Sequence, residues 1–249
     1  MPLSKSEIKL IRSLRLKKYR YQHQLFVAEG KKLVEDLLLS NAIPYKLLST
    51  DETDSHTYQY ISPKDMASIS LLEAPSTHLG VFHIPAEVHI EQLQPKQFFA
   101  LHALQDPGNL GTIIRSMDWF GPVPVVILPG TTDPFSPKVV QASMGSIYRV
   151  PIIRCRPDEL LNYLKKENIS LLAAHMTGHP IDQFSVPARF CLVIGNEGKG
   201  LTDFSLLPDF LVSIPPSPLS KAESLNASVS AGILAYRLFS SGSRDILTV

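Results

Sequence analysis

Apolar positions along this chain fall into two regimes. Up to about residue 85 they form short runs among charged residues. Ile8, Leu10, Ile11 and Leu14 lie among basic residues and predict a helix from Ser4 to about Leu16, with Ser4 placed to cap it and Glu7 three residues on. Leu25–Ala28 reads as a short strand, Gly30 as a break, and Leu33, Val34, Leu37 and Leu38 as one face of a helix running to Leu39. Tyr45–Leu48 and Leu79–Ile84 read as further strands, so residues 1–85 predict a small α/β domain. From Phe98 the pattern changes to near-continuous apolar strands alternating with amphipathic stretches. The expected strands are Phe98–Leu104, Val123–Leu128, Ile147–Ile153, Leu171–Ala174, Cys191–Ile194 and Leu211–Ile214; the expected helices are Leu110–Trp119, Pro137–Met144, Pro157–Glu167 and Ser224–Phe239. Such alternation predicts an α/β fold with a parallel sheet covered by helices on both faces. The polar, proline-bracketed stretch from Pro85 to Pro95 reads as a connection. The chain then divides into residues 1–88, a linker at 89–96 and a larger domain at 97–249.

Length and composition bound the function. A chain of 249 residues with 44% hydrophobic content holds one large or two modest domains with real cores. No apolar run approaches a membrane span, and the first residues lack the core of a signal peptide. The two cysteines, Cys155 and Cys191, have no metal-type spacing, so neither a zinc site nor a disulfide framework is expected, and a cytoplasmic setting is the simplest one. The net charge of +1 hides an asymmetry. Residues 1–32 carry nine basic side chains against two acidic ones, a local +7, which leaves −6 for the remainder. A basic arm on an acidic protein is a footprint for phosphate binding, although a solvated helix face has the same composition.

Three segments place small and polar residues where an apolar strand meets a helix, the position at which open α/β folds bind ligands. The first is Gln105–Arg115. Pro107 and Gly108 end the strand, Asn109 and Gly111 open a helix whose N–H groups would face a ligand, and Arg115 offers a planar fork of donors suited to phosphate. Asn109 as a helix cap and Arg115 as a surface residue are the plain alternatives. The second is Ile194-Gly195-Asn196-Glu197-Gly198-Lys199-Gly200. It is neither a Walker A loop nor a G-x-G-x-x-G turn, and without a dinucleotide fingerprint a Rossmann dehydrogenase is disfavoured. The third is Ile214-Pro215-Pro216, a loop, then Ser224-Leu225-Asn226-Ala227-Ser228. Ser224 could simply cap the last helix, where Val229, Gly232, Ile233, Ala235 and Tyr236 suit core or subunit packing.

In order and spacing these segments resemble the three motifs of the SpoU (TrmH-type) RNA ribose 2′-O-methyltransferases of the SPOUT superfamily, over roughly Phe98 to Leu238. Ala142–Ser146 resembles the family's stretch between the first two motifs. Phe26–Val34 resembles its ribosomal-protein-like, RNA-binding extension. The resemblance implies a SPOUT-type, mostly parallel sheet with a C-terminal trefoil knot, preceded by a substrate RNA-binding domain at 1–88. It implies S-adenosylmethionine as cofactor, no metal, a homodimer, and methyl transfer to a ribose 2′-OH of ribosomal RNA, guanosine being the first expectation, or of transfer RNA. Asn109, Arg115, Glu197, Ser224 and Asn226 match the catalytic constellation. Gly195, Ile214 and Leu225 match the cofactor positions. Arg12, Arg15, Lys17, Lys18, Arg20 and Lys31 are the expected RNA contacts. Two features depart from the pattern: Pro216 stands where the family usually has methionine, and the loop through Lys221 lacks the common glycine. The alternative reading, favoured by that loop, is a non-catalytic RNA-binding or ribosome-assembly factor on the same scaffold.

Overall fold

The computed structural model describes residues 3–54, 56–93, 96–195 and 207–240. The chain forms two compact units, Met1–Ala86 with Asp133–Arg149, and Glu87–Thr132 with Val150–Val249.

In the first unit, α1 (Lys5–Ser13) opens with a capping box: the Glu7 N–H donates to Ser4 Oγ, and the Ser4 N–H to the Glu7 carboxylate. Helix α1 stops at Leu14, short of the expected Leu16, and a second helix, α2 (Lys17–His23), follows. The Arg20 guanidinium explains the break, because it takes the carbonyls of Leu14 and Arg15, both at 2.8 Å. Then come β1 (Leu25–Glu29), α3 (Lys31–Leu39), β2 (Pro44–Ser49), β3 (Gln59–Tyr60), α4 (Pro63–Ile69) and β4 (His78–His83). The sheet order is β1-β4-β2-β3, with β4 antiparallel to both β1 and β2, and β3 parallel to β2. Alternation along β1 sends Leu25 and Val27 into a core with Ile11, Leu14, Met66 and Ile69. Phe26, on the other face, stacks against Phe82 and meets Phe135 at a tilt.

The second unit begins with a 3₁₀ turn at Ile90–Gln92. Ile90 and Leu93, inside the polar Pro85–Pro95 stretch, are buried in its core. The elements that follow are β5 (Gln97–Leu101), α5 (Pro107–Trp119), β6 (Val125–Ile127), α6 (Pro137–Ser143), α7 (Ser146–Arg149), β7 (Ile152–Arg154), α8 (Pro157–Glu167), β8 (Ser170–Pro180), β9 (Phe190–Ile194), β10 (Phe210–Ser213) and α9 (Ala227–Ser240). Of these, α6 and α7 belong to the first unit, where Asp133 pairs with Arg20 and Arg149 with Asp36. The expected strand Ile147–Ile153 is therefore corrected: its first residues are helical and the strand starts at Ile152. Met144 and Gly145 adopt positive φ and turn the chain between α6 and α7, and Pro151 holds Val150 out of the helical region.

The six-stranded sheet runs β10-β8-β9-β5-β6-β7 with every pairing parallel. Phe98, Ala100, Cys191 and Val193 face the side packed by α8; Phe99 and Phe190 meet Phe239 of α9 on the other. From β5 the chain adds β6 and β7 on one side, while β8, β9 and β10 lie on the other. The order thus reverses between β5 and β9, and the crevice above their carboxyl ends is where such a sheet binds its ligand.

Candidate active site

Loops that follow the strands build the described part of the carboxyl edge of the sheet. Beyond β5, the His102 N–H donates to the Ile194 carbonyl at 3.0 Å and holds the ends of β5 and β9 together. Ala103 takes a left-handed conformation (φ 54), which ends the strand short of the expected Leu104. Gly130, after β6, lies so near that a Cβ on it would stand 3.2 Å from the Ala103 Cα. Thr131 Oγ1 donates to the Leu101 carbonyl at 2.9 Å, and the Thr132 N–H donates to the Leu104 carbonyl at 2.8 Å. The loop entering α5 is therefore fixed on both sides. Asp106, not Asn109, caps that helix: its Oδ1 accepts from the Asn109 N–H at 2.7 Å, with Pro107 at the first helical position.

Asn109 is buried on α5, and its Oδ1 accepts a hydrogen bond from Asn226 Nδ2 at 2.9 Å. Asn226 immediately precedes α9. Its Oδ1 accepts from the N–H groups of Ser228 (2.9 Å) and Val229 (3.3 Å) and from Ser228 Oγ, so Asn226, rather than Ser224, is the cap. This pattern fixes the amide orientation, because a flipped amide would set donors against two backbone N–H groups. One hydrogen bond thus ties the first motif to the third, 117 residues apart. Helices α5 and α9 continue the contact, Gly232 passing close to Ser116.

The approach to Ile214 is equally constrained. Leu211 of β10 pairs with Ala173, but Val212 pairs with His179, so β8 loops out between the two registers. Gly178 makes this possible. A Cβ there would lie 2.6 Å from the backbone of Leu211 and Val212. Ser213 Oγ donates to the Gly178 carbonyl at 2.8 Å, and the Ser213 carbonyl accepts from the Ile181 N–H at 2.9 Å. Ile214 leaves this clamp half-buried, Gly195 is the first residue beyond β9, and Leu225 stands exposed beside Asn226.

The remaining expected residues separate. Arg115 lies six residues along α5 from Asn109, about 120° around the helix. It is exposed, and its side chain makes no ion pair or hydrogen bond with the described residues. Ser224 is exposed. Glu197 falls outside the described residues. Burial pushes the Cys155 thiol up to about 12 and the Cys191 thiol well above its ordinary range, so neither is a thiolate at neutral pH. In the basic arm Arg12, Arg15, Lys17 and Lys18 are exposed. Arg20 is not available to RNA, a correction to the expected set. It is 3% exposed, and its Nε and Nη2 donate to Asp133 at 3.0 and 2.6 Å. Lys31 is half-exposed and paired with Asp54 at 3.1 Å, which raises its pKa.

Comparison with known proteins decides the family. The sequence pattern of the SpoU rRNA Methylase family matches residues 96–236. The chain belongs to that family. The MRM3-like substrate binding domain matches residues 5–80. A relative, the 23S rRNA (guanosine(2553)-2′-O)-methyltransferase RlmP of Bacillus subtilis, is 32% identical over 240 residues, spanning 93% of this chain and 95% of RlmP. Among solved structures, a TrmH-family protein from Porphyromonas gingivalis superposes with a TM-score of 0.84 at 32% identity, over 96% of this chain and 99% of that one. The AdoMet-bound rRNA methyltransferase from Sinorhizobium meliloti gives 0.83 at 28%, over 96% and 97%. The SPOUT-type α/β sheet expected from the motifs is the fold observed.

Within this SpoU-family site, the roles of Asp106, Thr131, Gly178 and Ser213 were missed from the sequence. Asp106-Pro107 carried a legible signal, an N-cap followed by proline. The other three act through loops distant in sequence, and no local pattern marks them. No group of His, Cys, Asp and Glu that could hold a metal occurs among the described residues, and none of their helices is long and apolar enough to cross a membrane.

Proposed function

We propose that this chain transfers a methyl group from S-adenosylmethionine to a ribose 2′-OH of ribosomal RNA, a guanosine being the first expectation. The observation that carries the reading is the Asn226–Asn109 hydrogen bond, which joins the first and third motifs at the crevice where the strand order reverses. Gly195 and Ile214, at the ends of β9 and β10, and Leu225 before α9 supply backbone groups and apolar flanks that suit an adenosine. These three residues are assigned to hold the cofactor. When bound, S-adenosylmethionine supplies a methyl carbon on a sulfonium that leaves readily. The protein's share is positioning. Asn109 and Asn226 lock the starts of α5 and α9. Arg115 presents a planar fork of donors, so its assigned role is to orient the nucleotide through phosphate. Ser224 and Glu197 complete the assigned constellation, and residues 1–88 act as the substrate RNA-binding domain.

The reading extends to assembly. Val229, Ile233 and Tyr236 form an exposed stripe on α9, flanked by exposed Leu225. A second copy of the chain is assigned to cover it, which would place Arg115 in a shared site. A C-terminal trefoil knot belongs to the same reading. A cytoplasmic location fits a substrate of this kind.

Transfer of labelled methyl from S-adenosylmethionine to unmodified ribosomal RNA tests the proposal. Arg115→Ala should lose on the order of 10²-fold in turnover while binding the cofactor as the wild type does; undiminished turnover overturns the role of Arg115. The exposed Pro216–Lys221 loop favours one competing reading, an assembly factor that binds RNA without catalysis. Calorimetric titration with S-adenosylmethionine separates the two, since the competing reading expects no binding.

A further inference from the structure

We propose that α2 and the turn before it form a stacking platform for unpaired bases of RNA; this rests on the reading of the N-terminal unit as RNA-binding and names what it grips. Three observations carry it. First, α2 has no acidic residue, and Arg15, Lys17 and Lys18 are all exposed around it, a charge complement to a polyanion. Second, the rings are arranged for stacking. Tyr19 and His23, one turn apart, are within 19° of parallel with centroids 6.5 Å apart, and Lys18 Nζ lies 5.8 Å from the Tyr19 centroid. Exposed Leu16 adds apolar surface beside them. Third, the helix is held rigid from beneath. Arg20 faces inward to Asp133 and to the carbonyls of Leu14 and Arg15, and the Tyr21 hydroxyl also donates to Asp133. A fixed element presents a binding surface with less entropy to lose.

Cations alone would serve duplex and single strand alike, since both offer phosphates. Aromatic rings distinguish them. Bases in a duplex are already stacked on each other, whereas unpaired bases offer a free face to Tyr, His or a guanidinium. The platform therefore selects loops and single strands over helices.

The test compares the full-length protein's affinity for oligoadenylate with that for a blunt RNA duplex of equal phosphate number, across a salt series. Tyr19→Ala should weaken oligoadenylate binding roughly 5- to 150-fold and leave duplex binding and the salt slope unchanged. Tyr19→Phe should bind as the wild type. Lys17→Ala with Lys18→Ala should instead flatten the salt slope, by about 0.7 for each phosphate of the single strand left without its lysine. His23→Ala, at an exposed ring, repeats the stacking test without touching half-buried Tyr19, and it carries the result if Tyr19→Ala melts early. Wild-type oligoadenylate affinity in the alanine variants, or an equal loss on duplex, overturns the platform while leaving RNA binding intact. No affinity of the wild type for either RNA overturns the underlying reading as well.

Discussion

An asparagine amide has two chemically different ends, and Asn226 uses both. Its oxygen caps α9 and its nitrogen reaches Asn109. The two roles separate by substitution. Asn226→Asp keeps an N-cap acceptor and adds a charge that the helix dipole favours, but it places an acceptor against Asn109 Oδ1. That variant should melt near the wild-type temperature and lose on the order of 10²-fold in turnover through misplacement of the α5 start. Asn226→Ala loses the cap as well and should also lose about 1 kcal/mol of stability. Thermal melts beside methyl-transfer rates decide it, and an active Asn226→Asp would confine the residue to capping. The motif residues themselves were legible because each is chemically distinctive at its spacing. Their partition was not. Asn109 and Arg115 share one motif, yet one is buried against Asn226 and the other stands in solvent. Arg20 carries the same lesson. Composition counts it with the exposed cations of the basic arm, whereas Asp133, 113 residues away, and the carbonyls of Leu14 and Arg15 hold it inward. Asp133→Ala leaves a buried guanidinium uncompensated and should cost about 3–5 kcal/mol in urea unfolding. Replacing both partners by leucine should recover most of that loss.

At the scale of elements, the start of α1 was readable, whereas the caps of α4, α5 and α9 were missed or misplaced although Ser62, Asp106 and Asn226 provide side-chain acceptors there. Ser4 and Glu7 announce α1, and the structure builds the capping box they imply. Glu7 also pairs with Lys46 of β2, and that ammonium, followed by the Ser4 donors, holds its carboxyl down from 4.5 to about 2. A depressed folded pKa stabilises the native state above the unfolded value, and the contribution is lost as pH falls from about 4.5 towards 2. The prediction concerns that window. Wild type and Glu7→Gln should differ in melting temperature at neutral pH and converge as the solution is acidified through it. A gap unchanged down to pH 2 would show that the carboxylate does not titrate as its partners imply. Elements that the pattern missed have physical reasons for being faint. Gln59–Tyr60 is a two-residue strand, too short for alternation to register. Helix α4 has only Met66 and Ile69 to bury. The long β8 owes its second half to Gly178 and the backbone of β10, a contact between strands far apart in sequence.

For the whole molecule, alternation was enough to predict a parallel sheet covered on both faces, because its central strands β5, β6 and β9 are apolar on both sides. It could not reveal that Asp133–Arg149, in the middle of that alternation, packs with the N-terminal elements, since long-range pairs such as Arg20–Asp133 decide it. Nor could it tell which apolar residues of the last helix stay outside. Val229, Ile233 and Tyr236 are 49%, 40% and 65% exposed, at helical spacings of four and three, and Trp119 at the end of α5 is 86% exposed. Exposed apolar side chains on one helix face suit an interface, and the proposed one is isologous, so each substituted residue counts twice. Sedimentation equilibrium should show a dimer for the wild type. Ile233→Lys sets two charges into the interface and removes apolar burial worth about 1.5–3 kcal/mol per side chain; it should give a folded monomer with a wild-type circular dichroism spectrum. If the partner helps build the site around Arg115, turnover should fall with dissociation and recover as protein concentration rises. A wild-type monomer with full turnover would break both links at once. Arg115 would then have to act within its own chain, from the exposed face of α5.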